Sequence, residues 1–272
     1  MNTKVGDSVF TDPISEIYER HLVPLIFEPY AGPLSLRLDG TRLRRVLETA
    51  AGTGVLTRAL ASRLPESVSI VATDLNQTML DQASATGTSR PVKWRRANAT
   101  ALPFDDGEFD AVVCQFGVMF FPDKPKAFAE ARRVLRDGGV FLFSVWDRIE
   151  QNEFADAVTN AVASMFPDDP PQFLRRTPHG YFDRHAIERD LSAGGFSGAA
   201  EITTLEARSR ATLPDVPAIA YCQGTPLRNE IEARDANRLA DATDLAANAV
   251  SKRFGSGAVD GKTQAHIAAV RR

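Results

Sequence analysis

The stretch that decides the fold is VLETAAGTG, residues 46–54. Its apolar first half predicts a β-strand over Arg45–Thr49, and leucines spaced about one helical turn apart predict a helix over Val55–Leu64. A glycine-rich turn between a strand and a helix lets a ligand approach the backbone closely and meet the N-terminus of the helix. The turn alone does not choose the ligand, because dinucleotide-binding enzymes use similar turns.

Strands and helices alternate outward from this turn as far as residue 147. The other predicted strands are Val68–Thr73, Val92–Arg96, Phe109–Gln115 and Val140–Val145, and the other predicted helices are Asn76–Ser84 and Lys124–Arg136, which is expected to end at Gly138-Gly139. Such alternation is typical of a parallel sheet with crossover helices. The predicted fold class is therefore α/β, with a doubly wound sheet.

The segments that flank this core are less regular. Ahead of it, residues 14–30 predict two short helical stretches around Pro24. Behind it, the pattern predicts helices over Asn152–Phe166, His185–Leu191 (with Asp183 as N-cap) and most of Pro214–Arg253, and strands over Ala200–Ala207 and Gln264–Val270. We expect one domain over residues 1–272, with a core over about residues 40–147, an N-terminal helical lid over residues 11–38, and a cap with the closing strands over residues 148–272.

Glu48 narrows the choice of ligand. It lies near the carboxyl end of the first predicted strand, just before the turn. In a nicotinamide or flavin enzyme a pyrophosphate occupies this neighbourhood, and a nearby carboxylate repels it at a cost of roughly several kcal/mol. S-adenosylmethionine has no phosphate and carries an ammonium and a sulfonium. An acid beside the turn therefore favours S-adenosylmethionine.

Asp74 ends the second predicted strand, 22 residues after Gly52. An acid at this position accepts charge-assisted hydrogen bonds from both hydroxyls of a ribose. The alternative is that Asp74 caps the helix that begins near Asn76. Ribose binding supports an adenosine site but is shared by nicotinamide enzymes, so it does not separate the two cofactor classes.

Further candidates lie near the ends of the second, third and fourth strands. The amide oxygen of Asn98 is suited to accept from the adenine amino group while the Ala99 N–H donates to a ring nitrogen, and a local turn at Asn98 is the alternative. Leu75 and Met79 are suited to sandwich the purine or to pack in the core. The strand-end carbonyl at Gln115 would face the amino group of the ligand at the switch point of the sheet.

In order and spacing these motifs resemble those of the class I S-adenosylmethionine-dependent methyltransferases. Within that family they are similar to the small-molecule branch that contains the ubiquinone/menaquinone-biosynthesis type (methyltransferase type 11) enzymes. The residues that carry the resemblance are Glu48–Gly54, Ala72–Asn76, Asn98–Phe104, Phe109–Val112 and Gln115–Gly117.

The resemblance implies a Rossmann-like sheet of seven strands, six parallel and one antiparallel, the closing strand being Gln264–Val270. It also implies a site for S-adenosyl-L-methionine at Glu48, Ala50, Gly52, Gly54, Asp74, Leu75, Asn98, Ala99 and Gln115. The sequence departs from the family where Ala50 replaces the usual first glycine. Because an alanine stands there, we expect a φ below zero at residue 50.

Methyl transfer from a sulfonium depends on in-line positioning more than on a catalytic triad, and the sequence contains no triad. A base is needed only for a nucleophile that keeps its proton at neutral pH. The candidates are His179, in the irregular segment after the fifth strand, and Tyr18, on the helical stretch that similar enzymes fold over the cofactor. For both, a surface or core role is the alternative.

Aromatic residues are frequent in the expected cap. They either line an acceptor pocket, which favours an aromatic or lipid-like acceptor, or form the core of the cap. These residues are Phe154, Phe166, Phe173, Tyr181 and Phe182.

Composition excludes several classes of protein. The net charge of the 272 residues is −3 and the basic residues are scattered, which argues against a nucleic-acid partner. No apolar run is long enough to cross a bilayer, and the N-terminus lacks the apolar core of a signal peptide. The two cysteines, Cys114 and Cys222, give neither a disulfide framework nor a metal-ligand spacing, and Cys114 is predicted to be buried. We therefore expect a cytoplasmic protein whose partner is a small-molecule acceptor.

Two other functions are compatible with the same turn. An NAD(P)-dependent oxidoreductase is disfavoured by Glu48 and by Thr57, which stands where the third glycine of that motif belongs. A non-catalytic S-adenosylmethionine-binding protein would show the same residues, because catalysis by positioning leaves few signatures. Enzymes that methylate nucleobase amines carry Asp/Asn-Pro-Pro-aromatic after the fourth strand, whereas this chain has Gln115–Val118 there, which disfavours that substrate class.

Overall fold

The computed structural model describes residues 12–40 and 42–272, which form two compact units. The sheet unit comprises residues 30–146, 181–205 and 265–272, and the helical unit comprises residues 12–29, 147–180 and 206–264. Most of the expected lid and most of the expected cap thus fold together as one unit. From the sequence we expect no signal peptide at the N-terminus. Residues 1–11, which belong to that segment, lie outside the described residues. No helix in the described ranges has the length and apolar character that a bilayer crossing requires.

Seven strands form one sheet in the described part of the chain. They are β1 (Arg45–Thr49), β2 (Ser69–Asp74), β3 (Lys93–Arg96), β4 (Phe109–Gln115), β5 (Leu135–Trp146), β6 (Glu201–Ala211) and β7 (Val259–Arg271). Their order is β3-β2-β1-β4-β5-β7-β6. The pairs β1–β2, β1–β4, β2–β3 and β4–β5 are parallel, whereas β7 runs antiparallel to β5. The doubly wound α/β sheet and its antiparallel closing strand are confirmed.

Helices connect and flank these strands. They are α1 (Asp12–Ile17), α2 (Glu28–Leu36), α3 (Val55–Arg63), α4 (Gln77–Thr86), α5 (Lys124–Val134), α6 (Glu153–Met165), α7 (Phe173–Arg176), α8 (Arg184–Ala193), α9 (Asp215–Gln223), α10 (Leu227–Arg234) and α11 (Leu239–Phe254). In the sheet unit, side chains of α2 and α3 share one buried apolar cluster with residues of β1, β2, β4 and β5, among them Leu34, Leu60, Val46 and Val113. Every residue of β4 is buried, as expected for the central strand of a covered sheet.

Pro24 does not separate two helices, contrary to the sequence prediction. It lies inside a π-helical segment, Tyr18–Phe27, that continues α1 into α2. In this wider helix the N–H of Glu28 donates to the carbonyl of Val23, five residues back. The wider turn moves carbonyls away from positions where a proline ring clashes in an α-helix, so the chain passes Pro24 without a break.

The end of α5 also differs from the prediction. The helix stops at Val134 and β5 begins at the next residue, so Gly138-Gly139 lies within a strand and does not cap a helix. Gly138 has a φ of 75°, and the register between β4 and β5 shifts at this point. A Cβ on Gly139 would lie 3.0 Å from the carbonyl oxygen of Asp110. The glycine pair therefore forms a bulge, which places both residues in the sheet.

The other boundaries agree with the predictions to within a few residues at most ends. β1 and β4 have the predicted bounds, and the side chain of Asp183 accepts from the N–H of His185, 3.0 Å away, as the predicted N-cap of α8. The predicted helical region over residues 214–253 divides into α9, α10 and α11. Both strands near the C-terminus are longer than predicted, because β7 already begins at Val259 and β6 continues to Ala211.

Candidate cofactor site

The sheet changes direction of winding between β1 and β4, the two neighbours at its centre. In open α/β sheets ligands bind outside the carboxyl ends of the strands at this switch point. Glu48 lies near the end of β1, Asp74 ends β2, Asn98 follows β3 and Gln115 ends β4. The fold thus brings the predicted cofactor residues from four separate segments to one edge of the sheet.

The turn after β1 is tied to β2 and pressed against its neighbours. The N–H of Gly52 donates to Oδ2 of Asp74 over 2.9 Å. Gly54 has a φ of 85°, and a Cβ there would lie 3.1 Å from Trp94 and 3.2 Å from Ala83. Gly54 is therefore required both for its conformation and for the close approach of the turn to α4 and β3.

Ala50 has a φ of 51°, so the expectation of a negative φ at this residue is wrong. The hydrogen bond from the N–H of Ala51 to the carbonyl of Thr73, 2.9 Å long, fixes the peptide that follows. An alanine in the left-handed region costs about 1 kcal/mol, and such a residue persists only where the surrounding structure determines its conformation. Residue 50 keeps the left-handed backbone conformation expected of a glycine although it carries the methyl group of an alanine.

Glu48 is 1% exposed and accepts a hydrogen bond from the hydroxyl of Thr57, 2.6 Å from its Oε2. Burial raises the pKa of its carboxyl to about 8, and the neighbouring Asp74 carboxyl acts in the same direction. Glu48 is therefore mostly protonated at pH 7, which corrects the assumption that it always carries a charge. A cation beside it lowers its pKa again, whereas a pyrophosphate raises it further.

Asp74 accepts backbone hydrogen bonds from Gly52 at Oδ2 and from Asn76 at Oδ1, at 2.9 and 2.8 Å, and a further one from Leu75. Burial nevertheless raises the pKa of its carboxyl. Asp74 does not cap α4, because the side chain of Asn76 does so by accepting from the N–H of Thr78 at 3.0 Å. The capping alternative for Asp74 is therefore wrong, and its ribose contact stays a prediction.

The residues predicted to contact the adenine differ in how exposed they are and in whether they already have hydrogen-bond partners. Leu75 is 51% exposed, whereas Met79 is 3% exposed and packs in the core. The amide oxygen of Asn98 accepts from both the N–H and the hydroxyl of Thr100 at 2.9 Å, so the local turn is present. To accept from an adenine amino group, Asn98 would have to give up the Thr100 hydroxyl. Ala99 follows in the same exposed loop.

A strained aromatic residue, Phe116, follows β4, and its strain is not predicted from the sequence. Phe116 has a φ of 52°, and its ring lies flat on Trp146 with centroids 3.7 Å apart. Tyr30 packs edge-on against both rings at 5.3 Å. Bulky residues rarely adopt a left-handed backbone, and such strain clusters at functional sites. No local pattern predicts it, because the rings that hold Phe116 come from distant positions in the sequence.

The two catalytic candidates belong to the helical unit. His179 is 5% exposed, and its Nδ1 lies 2.9 Å from the carbonyl oxygen of Asp147. Burial lowers the pKa of His179 to about 4, so its ring is neutral at pH 7. Tyr18 is half-buried and stacks on Phe27 with centroids 5.1 Å apart. These surroundings favour structural roles for both residues, and their part in catalysis stays a prediction.

The aromatic residues of the expected cap behave mainly as core. Phe154, Phe173 and Tyr181 are buried, while Phe166 and Phe182 are half-buried. Phe154 packs edge-on against Phe254 with centroids 4.9 Å apart. The core alternative is therefore favoured for most of this group.

The residues at the switch point fit S-adenosylmethionine. The hydroxyl of Thr53 is buried and has no hydrogen-bond partner among the described residues. It lies in a turn that follows the strand carrying Glu48 and that bonds to the carboxyl group of Asp74 through the N–H of Gly52. Within residues 12–40 and 42–272, no cluster of three or more metal-ligating side chains is present. The polar turn thus has hydrogen-bonding capacity left for a nucleoside, and the acids suit a cationic one.

Comparisons with known proteins agree with this geometry. Residues 47–143 match the model of a methyltransferase domain. The chain is 33% identical over 181 residues to the malonyl-(acyl-carrier protein) O-methyltransferase of Geobacter sulfurreducens, which covers 66% of this chain and 64% of that protein. It is 26% identical over 212 residues to the ubiquinone/menaquinone biosynthesis C-methyltransferase UbiE of Hydrogenovibrio crunogenus, covering 73% of this chain and 78% of that protein. The chain thus spans just under two thirds of the first of these relatives.

A solved structure supports the same fold. Phosphoethanolamine N-methyltransferase 2 of Haemonchus contortus, in complex with S-adenosyl-L-methionine, has a TM-score of 0.60 at 17% identity and covers 99% of this chain and 60% of that chain. At this identity the likeness concerns the fold alone. The matched domain, the named relatives and the residues at the switch point agree: residues 47–143 form a methyltransferase domain, and the chain is similar to named methyltransferases.

Proposed function

We propose that this chain transfers the methyl group of S-adenosylmethionine to a small-molecule acceptor. The observation that carries the proposal is the pair of acids, Glu48 and Asp74, beside a glycine turn at the switch point of the sheet. The buried carboxyl group of Glu48 and the half-buried carboxyl group of Asp74 suit a cationic nucleoside and disfavour a pyrophosphate, because an anion there would raise the energy of both groups.

The donor supplies an activated methyl group on a sulfonium, so the protein mainly has to hold it. We assign the ribose hydroxyls to Asp74, one face of the adenine to Leu75, and its edge to Asn98 and Ala99. Glu48 is proposed to lose its proton and pair with the ammonium group. Because the Glu48 carboxyl is already fixed by a hydrogen bond, little side-chain entropy is lost in that pairing.

The acceptor needs correct placement more than it needs a strong base. Holding two reacting atoms in line contributes roughly 7–11 kcal/mol. Tyr18 and His179 remain the proposed catalytic residues. A histidine with a pKa near 4 is a weak base, so its help suits an acceptor that is largely ionised at neutral pH.

The acceptor is proposed to be a small molecule methylated on oxygen, carbon or nitrogen. One relative is named as an O-methyltransferase and the other as a C-methyltransferase, which supports the first two atoms most directly. The cap aromatics give little support for an aromatic or lipid-like acceptor, because Phe154, Phe173 and Tyr181 are occupied in packing.

Calorimetric titration with S-adenosylhomocysteine tests the donor site. We expect a Kd in the micromolar range, weakened at least about tenfold, or about 1.4 kcal/mol, in Asp74→Asn and Asp74→Ala. Asp81→Ala is the matched control, because Asp81 is an exposed carboxylate on α4 that bonds only to Gln77 among the described residues. Circular dichroism checks that each variant folds. Binding of NADH in place of S-adenosylhomocysteine would contradict the proposal.

Turnover tests the enzymatic part separately. The wild-type protein is incubated with S-adenosylmethionine labelled in its methyl group and a panel of carboxylates, phenols, quinols and amines, and label in the acceptor is measured. We expect transfer to at least one class, reduced by Asp74→Asn and unchanged by Asp81→Ala. Tight binding with no transfer across the panel would favour a non-catalytic binding protein.

A further inference from the structure

Position 50 holds an alanine where its backbone conformation favours glycine, and position 117 holds a glycine where its backbone conformation is open to any residue. Ala50 has a φ of 51°, a conformation in which glycine avoids the cost that a Cβ imposes. Gly117 has a φ of −100°, which any residue adopts. Backbone preference alone would therefore put glycine at position 50 and alanine at position 117.

Contact between the two residues explains the arrangement. A Cβ on Gly117 would lie 2.4 Å from the Cβ of Ala50 and 2.7 Å from the Sγ of Cys114. Two non-bonded carbon atoms do not come that close unless the chain shifts. The Ala50 methyl group thus fills the space beside Gly117, and the loop after β1 meets the loop after β4 at this methyl group.

The loop after β4 is held firmly against the strand on its other side. The N–H of Phe116 donates to both the carbonyl and the hydroxyl of Ser144 at 3.2 Å. The Phe116 ring stacks on Trp146, and both side chains are buried. Gly117 therefore presents a fixed wall, and the Ala50 methyl group is the part of the contact that can be removed.

We propose that Ala50 is a positioning residue for the methyl donor, acting through the wedge of its methyl group against Gly117. This inference rests on the proposed function, because Glu48 and Gly52, on either side of Ala50, belong to the proposed donor site. Without the wedge the turn keeps its hydrogen bonds to β2 but loses its support on the side of Gly117, so that residue 50 has more freedom to shift and binding has to order it again. The strain at residue 50 is retained because it keeps the turn in place before the donor arrives.

Ala50→Gly separates this role from simple packing. The variant relieves the left-handed strain, so its melting temperature should stay equal to that of the parent or rise by up to about 3 °C. Its affinity for S-adenosylhomocysteine should fall about tenfold, measured by calorimetry. An unchanged affinity overturns the proposal, and so does an affinity that falls together with the melting temperature, because that pair of results marks loss of packing.

A methyl swap provides the second test. All variants carry Cys114→Ala, which removes the other atom that a Cβ at position 117 would meet. In this background Gly117→Ala should weaken S-adenosylhomocysteine binding and lower the melting temperature, because two methyl groups compete for one space. Adding Ala50→Gly to it leaves one methyl group in the gap and should recover the affinity to within about threefold of the Cys114→Ala parent. Effects that simply add in the double variant overturn the wedge.

Failure of this inference differs from failure of the proposed function. If the wild-type protein does not bind S-adenosylhomocysteine, the proposed function fails and the wedge fails with it. If the wild-type protein binds and Ala50→Gly binds equally well, the wedge alone is wrong.

Discussion

Asn152 in the helical unit and the strand ends of the sheet unit differ in how completely their buried polar groups are hydrogen-bonded. In the helical unit, Asn152 donates to the carbonyls of Asp147, Arg148 and Gln264 at 3.2–3.3 Å. Its amide oxygen accepts from the hydroxyl of Thr263 and the N–H of Gln264 at 2.7 and 3.1 Å. Each polar atom of the Asn152 amide thus has a partner within the chain.

At the strand ends of the sheet unit the situation is reversed. Glu48 is buried with a hydrogen bond from Thr57, and the buried hydroxyl of Thr53 has no partner among the described residues. Burying a polar group without a partner costs about 1–3 kcal/mol. The contrast is between Asn152, whose hydrogen bonds stabilise the helical unit, and the strand ends of the sheet unit, where we propose that polar groups are left for a ligand at a cost in stability.

The largest expected effect is a dependence of stability on pH that comes from Glu48. Its pKa is about 8 in the folded protein and close to 4.5 in the unfolded chain. The folded state therefore holds the proton more tightly, and the stability from this group is fully present below pH 4.5 and is lost as the pH rises to about 8. The difference amounts to up to about 5 kcal/mol in the free energy of unfolding, measured by urea denaturation across this range.

Glu48→Gln is the variant that isolates this effect. Glutamine keeps the shape of the protonated acid, so we expect its stability to match that of wild type near pH 4.5 and to exceed it increasingly towards pH 8. His179→Gln is the control for the opposite sign, because the lowered pKa of His179 costs stability only as the pH falls below 6.5. If the wild-type and Glu48→Gln curves run parallel, Glu48 is not protonated in the fold.

Asn152 should produce the next largest effect. Asn152→Ala leaves the Thr263 hydroxyl and the Gln264 N–H without the acceptor that the Asn152 amide oxygen supplies, and it removes the hydrogen bonds of the amide nitrogen to three carbonyls, at a cost of about 3 kcal/mol. Urea denaturation measures this loss, while the affinity for S-adenosylhomocysteine at a temperature where the variant is folded should stay within about twofold.

Asn160→Ala is the matched control on α6, since Asn160 is exposed and its side chain, which donates to Asp156 and accepts from Arg175, makes its hydrogen bonds at the surface. Its stability should change by no more than about 0.5 kcal/mol. A large loss of S-adenosylhomocysteine affinity in folded Asn152→Ala would break the contrast between the two units.

The sequence was sufficient wherever the signal is local. The turn at residues 50–54, the strands Arg45–Thr49 and Phe109–Gln115 and the cap at Asp183 follow from neighbouring residues, and their positions agree with the structure. The acids Glu48 and Asp74 are also predictable, because each stands near the end of a strand beside the glycine turn. In the structure the N–H of Gly52 in that turn donates to Asp74. A motif of this kind specifies its own backbone.

Features that depend on distant neighbours were not predictable. The protonation of Glu48 follows from complete burial, which no residue next to it indicates. The left-handed backbone of Phe116 depends on rings at positions 30 and 146. The start of β5 at Leu135, ahead of Gly138-Gly139, depends on a bulge opposite β4, and the same dipeptide is equally typical of a helix end.

The smallest expected effects distinguish two neighbouring residues after β2. The side chain of Asn76 caps α4, whereas that of Leu75 is 51% exposed and contributes little to packing. Asn76→Ala should therefore lower the free energy of unfolding by about 1 kcal/mol and leave the affinity for S-adenosylhomocysteine unchanged, because the backbone N–H that binds Asp74 remains.

Leu75→Ala should do the reverse, leaving the free energy of unfolding within about 0.5 kcal/mol of wild type and weakening the affinity several-fold through lost contact with the adenine. Urea denaturation and calorimetry on both variants give four values, and a Leu75→Ala protein that binds as tightly as wild type would show that this exposed leucine is an ordinary surface residue.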